Sequence, residues 1–191
     1  MTSDNFNWKQ YLTLSRYPED IPAKPGIYQW VHYPAIEYIT DPDEILKSLS
    51  KYHKSQIISK DHLESARFVI DVRTAKSTDQ TFGLSAQKWE SVKRMLSEAS
   101  SRSEFCDIFK MACFLRPFYI GKANDLRIRL CDHFERRNSS LLSDLDGLQV
   151  PREAIWIGTK AVDESLELRD VPVLEEIMQR ICNPPLVKRF G

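Results

Sequence analysis

The stretch that decides the fold is FYIGKANDLRIRLCDHFERR, which spans Phe118–Arg137. Its first residues are aromatic and β-branched, which is typical of a strand, and a turn is expected at Gly121-Lys122. A helix is expected from Asn124 or Asp125 to the end of the stretch. With Arg116 just before it, the stretch holds six cations against three acids, although the whole chain is balanced. The excess favours an anionic ligand, whereas a solvated surface helix would have a similar composition.

The charge of the whole chain limits the classes of partner. The 191 residues include 27 basic and 27 acidic side chains, so the protein is not expected to coat nucleic acid by bulk charge. No apolar run is long enough to cross a bilayer, and MTSDNFNWKQ lacks the cationic start and apolar core of a signal peptide. We therefore expect a cytoplasmic protein with no membrane partner and with a local basic patch.

The cysteines and histidines do not indicate a transition-metal centre. The cysteine spacing contains no CxxC pair, and no two histidines have a spacing typical of metal ligands. The cysteines are expected to be reduced and buried as small apolar groups. They are Cys106, Cys113, Cys131 and Cys182.

Strands and helices alternate along the rest of the chain. The segment NWKQYLTL near the N-terminus is amphipathic, and RFVIDV within the first half has the composition of a strand. Further strands are expected over 27–33, near 114–120 and over 154–158. Helices are expected over 41–53, 85–114 with a break near 99–103, 139–148 as a short helix or turn, and 173–182.

Two separated tripeptides carry a resemblance to a known family. Gly26-Ile27-Tyr28 and Tyr119-Ile120-Gly121 spell GIY and YIG, each in an expected strand. The chain resembles the GIY-YIG nucleases, a superfamily that includes homing endonucleases, some restriction enzymes and the incision subunit of bacterial nucleotide excision repair. YIGKANDLRIRL is similar to the family pattern YIG-K-A-x-x-L-x-x-R-L, and Glu175 is followed nine positions later by Pro184. The resemblance covers residues 25–30 and 116–187.

The resemblance implies an α/β (α+β) fold, a small three-stranded sheet flanked by helices. The whole chain, 1–191, would be one domain with its core at 20–32 and 114–191. About 90 residues separate Tyr28 from Tyr119, so residues 33–113 would form a large, mostly helical insertion between the first two strands. The insertion is too long and too patterned for a loop, and it would serve target recognition, a homodimer or docking of a protein partner.

The resemblance also implies a divalent-metal-dependent endonuclease that hydrolyses DNA phosphodiester bonds. Glu175 would bind Mg²⁺ or Mn²⁺, which stabilises the extra negative charge of the transition state. The planar fork of Arg129 would bind a phosphate oxygen. The other implied catalytic residues are Tyr28, as a base helped by His133 or by a cationic environment, and Tyr119. The implied nucleic-acid contacts are Lys122, Arg127, Arg136 and Arg137.

Helix geometry agrees with the roles that the resemblance implies for two of these residues. At 100° per residue, Arg129 and His133 lie together at the edge of an apolar stripe made by Leu126, Leu130 and Phe134, and Arg127 falls elsewhere.

The last helix gives a similar result. We expect its buried stripe to consist of Leu174, Ile177, Met178 and Ile181. Glu175 then lies at the edge of the stripe, and Glu176 points into solvent.

Two alternatives stay open. Val187 stands where the family usually has an Asn, which favours a catalytically silent module that binds nucleic acid or a protein. Taken singly, each site residue is more often a packing or surface residue. A structural protein with coincidental tripeptides would therefore leave Tyr28, Tyr119, Arg129 and Glu175 far apart.

Overall fold

The structure is a computed structural model that describes residues 6–49, 85–137, 139–147, 150–162, 171–182 and 184–186. The chain divides into two compact units. The sheet unit consists of Met1–His32 and Phe114–Gly191, and the helical unit consists of Tyr33–Cys113. The helical unit thus spans the residues that the sequence assigns to the insertion.

The described residues contain both strands and helices, and three of the helices follow one another between the second and third strands. The strands are β1 Asn7–Gln10, β2 Gly26–His32, β3 Tyr119–Ala123 and β4 Ile155–Ala161. The helices are α1 Tyr11–Arg16, α2 over 42–49, α3 Ala86–Ser97, α4 Ala99–Phe114, α5 Leu126–Phe134, α6 Leu141–Gly147 and α7 Val171–Cys182. No helix in the described ranges combines the length and the apolar composition needed to cross a membrane.

The described residues form one antiparallel sheet of four strands in the order β1-β4-β2-β3. The α+β prediction is confirmed at this level, but the expected number of three strands is wrong. The additional strand is β1. It is formed by the first half of NWKQYLTL and pairs with β4, while the second half of the segment begins α1. Trp8 lies opposite Gly158, and a Cβ at Gly158 would come within 2.9 Å of the indole ring. This close fit depends on a residue about 150 positions away, so local periodicity could not reveal it.

The two sheet faces have separate cores. On one face, Tyr28 and Trp30 of β2 pack with Leu126 and Leu130 of α5 and with residues of α6. On the other face, Ile27 and Ile120 pack against α7. Side chains alternate between the faces along each strand, so neighbours in the two tripeptides serve different cores.

The strand register explains the glycines of both tripeptides. Tyr28 pairs with Gly121, and a Cβ at Gly121 would lie 2.6 Å from the Cζ and Oη atoms of Tyr28. A Cβ at Gly26 would collide with the carbonyl oxygen of Lys160 on β4. Both positions therefore require the absence of a side chain.

The strand that contains the second tripeptide begins later in the sequence than expected. The strand expected near 114–120 begins only at Tyr119, because α4 continues to Phe114 and Pro117 follows it. The turn expected at Gly121-Lys122 is wrong, since both residues belong to β3. Asp125 then caps α5 by accepting a 2.9 Å hydrogen bond from the backbone N–H of Ile128.

The stripe expected on the last helix is partly wrong. Leu174 and Met178 do pack against β2 and β3, but Ile177 is 47% exposed and Ile181 is 78% exposed. The helix covers only two strands at one side of the sheet, so its contact stripe is narrow and continues instead through Val171 and Cys182.

The helical unit has its own core. Ile36, Ile45, Leu46, Leu49, Leu96 and Cys106 are buried together. The long helix expected over 85–114 is broken as predicted, at Glu98, which has an extended backbone between α3 and α4. The RFVIDV strand and the end of the helix expected over 41–53 lie outside the described residues.

Candidate active site

The two tyrosines of the tripeptides lie side by side. Trp30, two residues after Tyr28, pairs with Tyr119, so the register brings both tyrosines to one sheet face. Their ring centroids are 5.9 Å apart. His133 of α5 completes the group, because its Nε2 atom lies 2.6 Å from the Oη atom of Tyr28. The centroids of the Tyr119 and His133 rings are 5.6 Å apart.

His133 is a buried, neutral imidazole. Only 1% of its surface is exposed, and the ring of Trp30 lies against it at a centroid distance of 5.7 Å. Burial, together with the positive charge of Arg129, lowers the pKa of His133 to about 3. Its Nδ1 atom shares a hydrogen bond with the hydroxyl of Ser139. At neutral pH the ring therefore has one nitrogen that donates and one that accepts.

Tyr28 is a neutral phenol in this environment. Its side chain is fully buried. Burial, and next the neighbouring Tyr119, raise the pKa of Tyr28 well above its ordinary value, although Arg129 acts in the opposite direction. The cationic environment considered for this residue is present, but burial outweighs it. Tyr28 can therefore exchange protons with a partner, but it does not carry a standing negative charge.

Arg129 lies beside both phenol oxygens. Burial opposes its charge, but its interactions with Tyr28 and Tyr119 outweigh burial and raise the pKa of Arg129. The guanidinium is thus a permanent cation within the tyrosine pair. A planar cation of this kind is suited to a phosphate oxygen.

Glu175 and Lys122 meet at the outer side of β3. Glu175 lies on α7, and its Oε2 atom is 3.5 Å from the Nζ atom of Lys122, which is longer than a normal hydrogen bond. Burial raises the pKa of Glu175, while Lys122 and then Arg129 lower it. The influence of Arg129 connects this pair to the tyrosine group. The structure thus groups Tyr28, Tyr119, Arg129 and His133, and it places Glu175 beside Lys122 at the edge strand, where the charge of Arg129 still lowers the pKa of Glu175.

The other three cations expected to contact nucleic acid have partners within the chain. Arg127 donates to the carbonyl oxygens of Ile21 at 2.9 Å and Glu19 at 3.0 Å, so it anchors the loop before β2 and not the site. Arg136 pairs with Asp146 at 2.7 Å. Arg137 pairs with two acids of its own segment, Asp132 and Glu135, at 3.4 and 3.0 Å. Arg136 and Arg137 are more than half exposed, so these surface pairs are weak.

Sequence reasoning missed Ser139 and Gln179. Ser139 contacts His133, but before a short helix a serine indicates a cap and gives no signal of such a partner. Gln179 of α7 donates from Nε2 to the carbonyl oxygen of Ile120 at 3.1 Å. This bond fixes α7, and with it Glu175, against the edge strand.

A divalent cation at Glu175 is compatible with the donor chemistry. The described residues contain no cluster of three or more His, Cys, Asp or Glu side chains suited to a metal. Mg²⁺, however, is commonly bound by one or two carboxylates together with water and substrate phosphates. Glu175 is a half-buried carboxylate near the cations Lys122 and Arg129, so it could supply the single carboxylate of such an arrangement.

Comparisons of the chain with protein-family models, with curated proteins and with solved structures found no match. The nuclease interpretation therefore depends on the residues of the two tripeptides, on the helices that follow them, and on the geometry described above.

Proposed function

We propose that the protein is a divalent-metal-dependent endonuclease of the GIY-YIG type that hydrolyses DNA phosphodiester bonds. One observation carries the proposal: Tyr28, Tyr119, Arg129 and His133 come from three separate elements and lie together, and the charge of Arg129 acts on Glu175 of a fourth element. The structural-protein alternative expects these residues to lie apart. The GIY-YIG fold, with residues 33–113 as its insertion, is part of the same proposal.

Arg129 binds the scissile phosphate in this mechanism. Its guanidinium lies beside the tyrosine pair, and its charge also acts on Glu175, so it can donate two hydrogen bonds to the non-bridging oxygens of a phosphate bound there. Tyr119 is half-buried, and its hydroxyl can donate to a phosphate oxygen or hold the attacking water. These donors are in place before the reaction, which is the condition for electrostatic stabilisation of the transition state.

Tyr28 and His133 transfer the proton of the attacking water. The phenol oxygen accepts a proton from water while its own proton passes to Nε2 of His133 along the 2.6 Å hydrogen bond. This relay needs no phenolate, which agrees with the raised pKa of Tyr28. Because Tyr28 is fully buried, water reaches its hydroxyl only when a side chain that covers it moves aside.

Glu175 would hold the Mg²⁺ or Mn²⁺ ion. When bound, the ion supplies Lewis-acid stabilisation of charge on the phosphate oxygens. The ammonium group of Lys122 lies 3.5 Å from one carboxylate oxygen of Glu175. When that oxygen binds the metal ion, Lys122 becomes available to contact the DNA backbone. Arg136 and Arg137 lie on the exposed end of the same segment and can contact neighbouring phosphates.

The second candidate is the silent module that binds nucleic acid or a protein. The Lys122–Glu175 pair favours it, because a carboxylate that only balances a lysine needs no metal. Val187, the other support for this candidate, lies outside the described residues. A cytoplasmic setting and a homodimer or protein partner at residues 33–113 are compatible with either candidate.

Cleavage assays separate the two candidates. Plasmid and linear DNA are incubated with purified protein in Mg²⁺, Mn²⁺ or EDTA, and Glu175→Ala is compared with Glu176→Ala. Glu176 is a matched control, because it lies on the same helix and forms a surface ion pair with Arg180. We expect Glu175→Ala to reduce metal-dependent cleavage at least about 100-fold and Glu176→Ala to retain it. Binding of DNA without cleavage by the unaltered protein would support the silent module.

A further inference from the structure

The contact between Tyr28 and His133 continues to a third residue. Ser139 lies between α5 and α6, and its Oγ atom is hydrogen-bonded to Nδ1 of His133. The same Oγ atom accepts a 3.3 Å hydrogen bond from the backbone N–H of Leu141 at the start of α6. Tyr28, His133 and Ser139 therefore form a continuous chain from the proposed site to the first turn of α6.

The donors and acceptors of this chain favour one tautomer of His133. A neutral imidazole has one N–H and one bare nitrogen. The phenol of Tyr28 is a stronger acid than an aliphatic hydroxyl. Its oxygen lies beside the guanidinium of Arg129, which can only donate, so the phenol O–H is directed to another acceptor. The phenol O–H therefore donates to Nε2. The proton of the imidazole is left on Nδ1, from which it points to Ser139.

Ser139 has the acceptor capacity that this tautomer needs. A hydroxyl oxygen has two lone pairs. One accepts from Leu141 and the other from Nδ1 of His133. The rings of Trp30 and Tyr119 also contact the imidazole, while the hydrogen bonds of its two nitrogens in the described part of the chain are those with Tyr28 and Ser139.

We propose that Ser139 is a positioning residue that holds His133 in the tautomer protonated on Nδ1, so that Nε2 is free to accept the proton of Tyr28. The catalytic role of Ser139 rests on the proposed function, since only a reaction that passes a proton through Tyr28 uses an unprotonated Nε2 on His133. The tautomer itself is a property of the resting protein and can be measured without substrate.

The first test is nitrogen-15 NMR of the histidine ring in the full-length chain. The His133 signals are assigned by their loss in His133→Gln. We expect Nδ1 to have the chemical shift of a protonated nitrogen and Nε2 that of a bare one. A proton on Nε2 in the unaltered protein would overturn the proposal, whatever the protein does to DNA.

The second test compares three serine variants. Ser139→Ala should leave His133 with averaged or reversed tautomers, while Ser139→Thr keeps the hydroxyl and should keep the pattern of the unaltered protein. Ser140→Ala is the matched control, because Ser140 bonds Asp144 in the same turn at 3.0 Å and has no contact with the imidazole among its hydrogen bonds. An unchanged tautomer in Ser139→Ala would overturn the proposal and leave Ser139 as a helix cap.

The same variants distinguish this proposal from the nuclease proposal. If the protein cleaves DNA, Ser139→Ala should lower kcat by about 10- to 100-fold with little change in KM, because a proton-transfer relay is impaired while phosphate binding is not. Ser139→Thr should restore most of the rate. A protein that shows the expected tautomer but does not cleave would refute the nuclease and retain the role of Ser139 in fixing His133.

Discussion

Replacing Gly121 by alanine should damage the site through a single methyl group. The new Cβ would lie 2.6 Å from both the Cζ and Oη atoms of Tyr28 and 2.9 Å from Cε1 of Tyr119, whereas ordinary contact begins at 3.4 Å. The ring of Tyr28 must therefore retreat by about 0.8 Å, the difference between 3.4 and 2.6 Å. Tyr28 is fully buried and bonded to His133 at 2.6 Å, so the ring has no free space into which it can move.

The expected cost follows from the packing. Overfilling a tight core by one methyl group costs about 1–3 kcal/mol. The replacement of glycine in a strand recovers about 0.5–1 kcal/mol, because alanine is less flexible in the unfolded chain. We therefore expect Gly121→Ala to lower the free energy of unfolding by up to about 2.5 kcal/mol and to lengthen or break the hydrogen bond between Tyr28 and His133.

Urea unfolding followed by tryptophan fluorescence measures this cost, since Trp8, Trp30 and Trp156 all belong to the sheet unit. Gly147→Ala is the matched control, because a Cβ at Gly147 meets no atom within 4 Å and alanine favours the helix. The control should be neutral or more stable by up to about 1 kcal/mol. Equal stability of Gly121→Ala and the unaltered protein, with the His133 ring signals unchanged, would refute the reasoning.

The remaining predictions concern pH and the orientation of α7. Burial lowers the pKa of His133 to about 3 and that of His32 to about 4, so the unfolded chain binds more protons below its histidine pKa of about 6.5. The stability that these neutral rings contribute is fully present above pH 6.5 and is lost as the pH falls, by about 2 kcal/mol for each histidine at pH 5. Urea unfolding at pH 7 and pH 5 measures it, and equal values would contradict the prediction. On α7, Leu174→Ala should destabilise the protein by about 1–3 kcal/mol in the same assay, because Leu174 packs on the sheet. Ile177→Ala should change stability by less than about 0.5 kcal/mol, and the reverse order would show that the exposed face has been assigned wrongly.

Local patterns were sufficient to predict which residues share one face of an element. Alternation along a strand and 100° per residue along a helix fix these faces, and they placed Arg129 and His133 together at the edge of one apolar stripe, whereas their meeting with the tyrosines was expected only from the resemblance. The same rules placed Glu175 at the edge of the last helix. These relations involve neighbours within one element, so the sequence contains them.

Burial could not be predicted in the same way. The pKa of Tyr28 depends on how completely other elements cover it, and the exposure of Ile177 depends on how wide a sheet α7 covers. The strand β1 depends on the fit of Trp8 over Gly158, and the role of Ser139 depends on the distance between two helix ends. Each of these is a contact between separate elements of the fold, for which the pattern within one element gives no signal.

The position of β3 at the edge of the sheet explains how one site can draw on both faces. Tyr119 points to the face of α5, and Lys122 points to the face of α7. In the middle of a sheet these side chains would be separated by the backbone layer, whereas at an edge a single phosphate can reach both. An open edge also invites pairing with other chains. Here Gln179 bonds Ile120 at 3.1 Å and the backbone of Leu186 bonds Phe118 at 2.9 Å. Gln179 belongs to α7, so the helix that protects the edge also holds Glu175 beside Lys122.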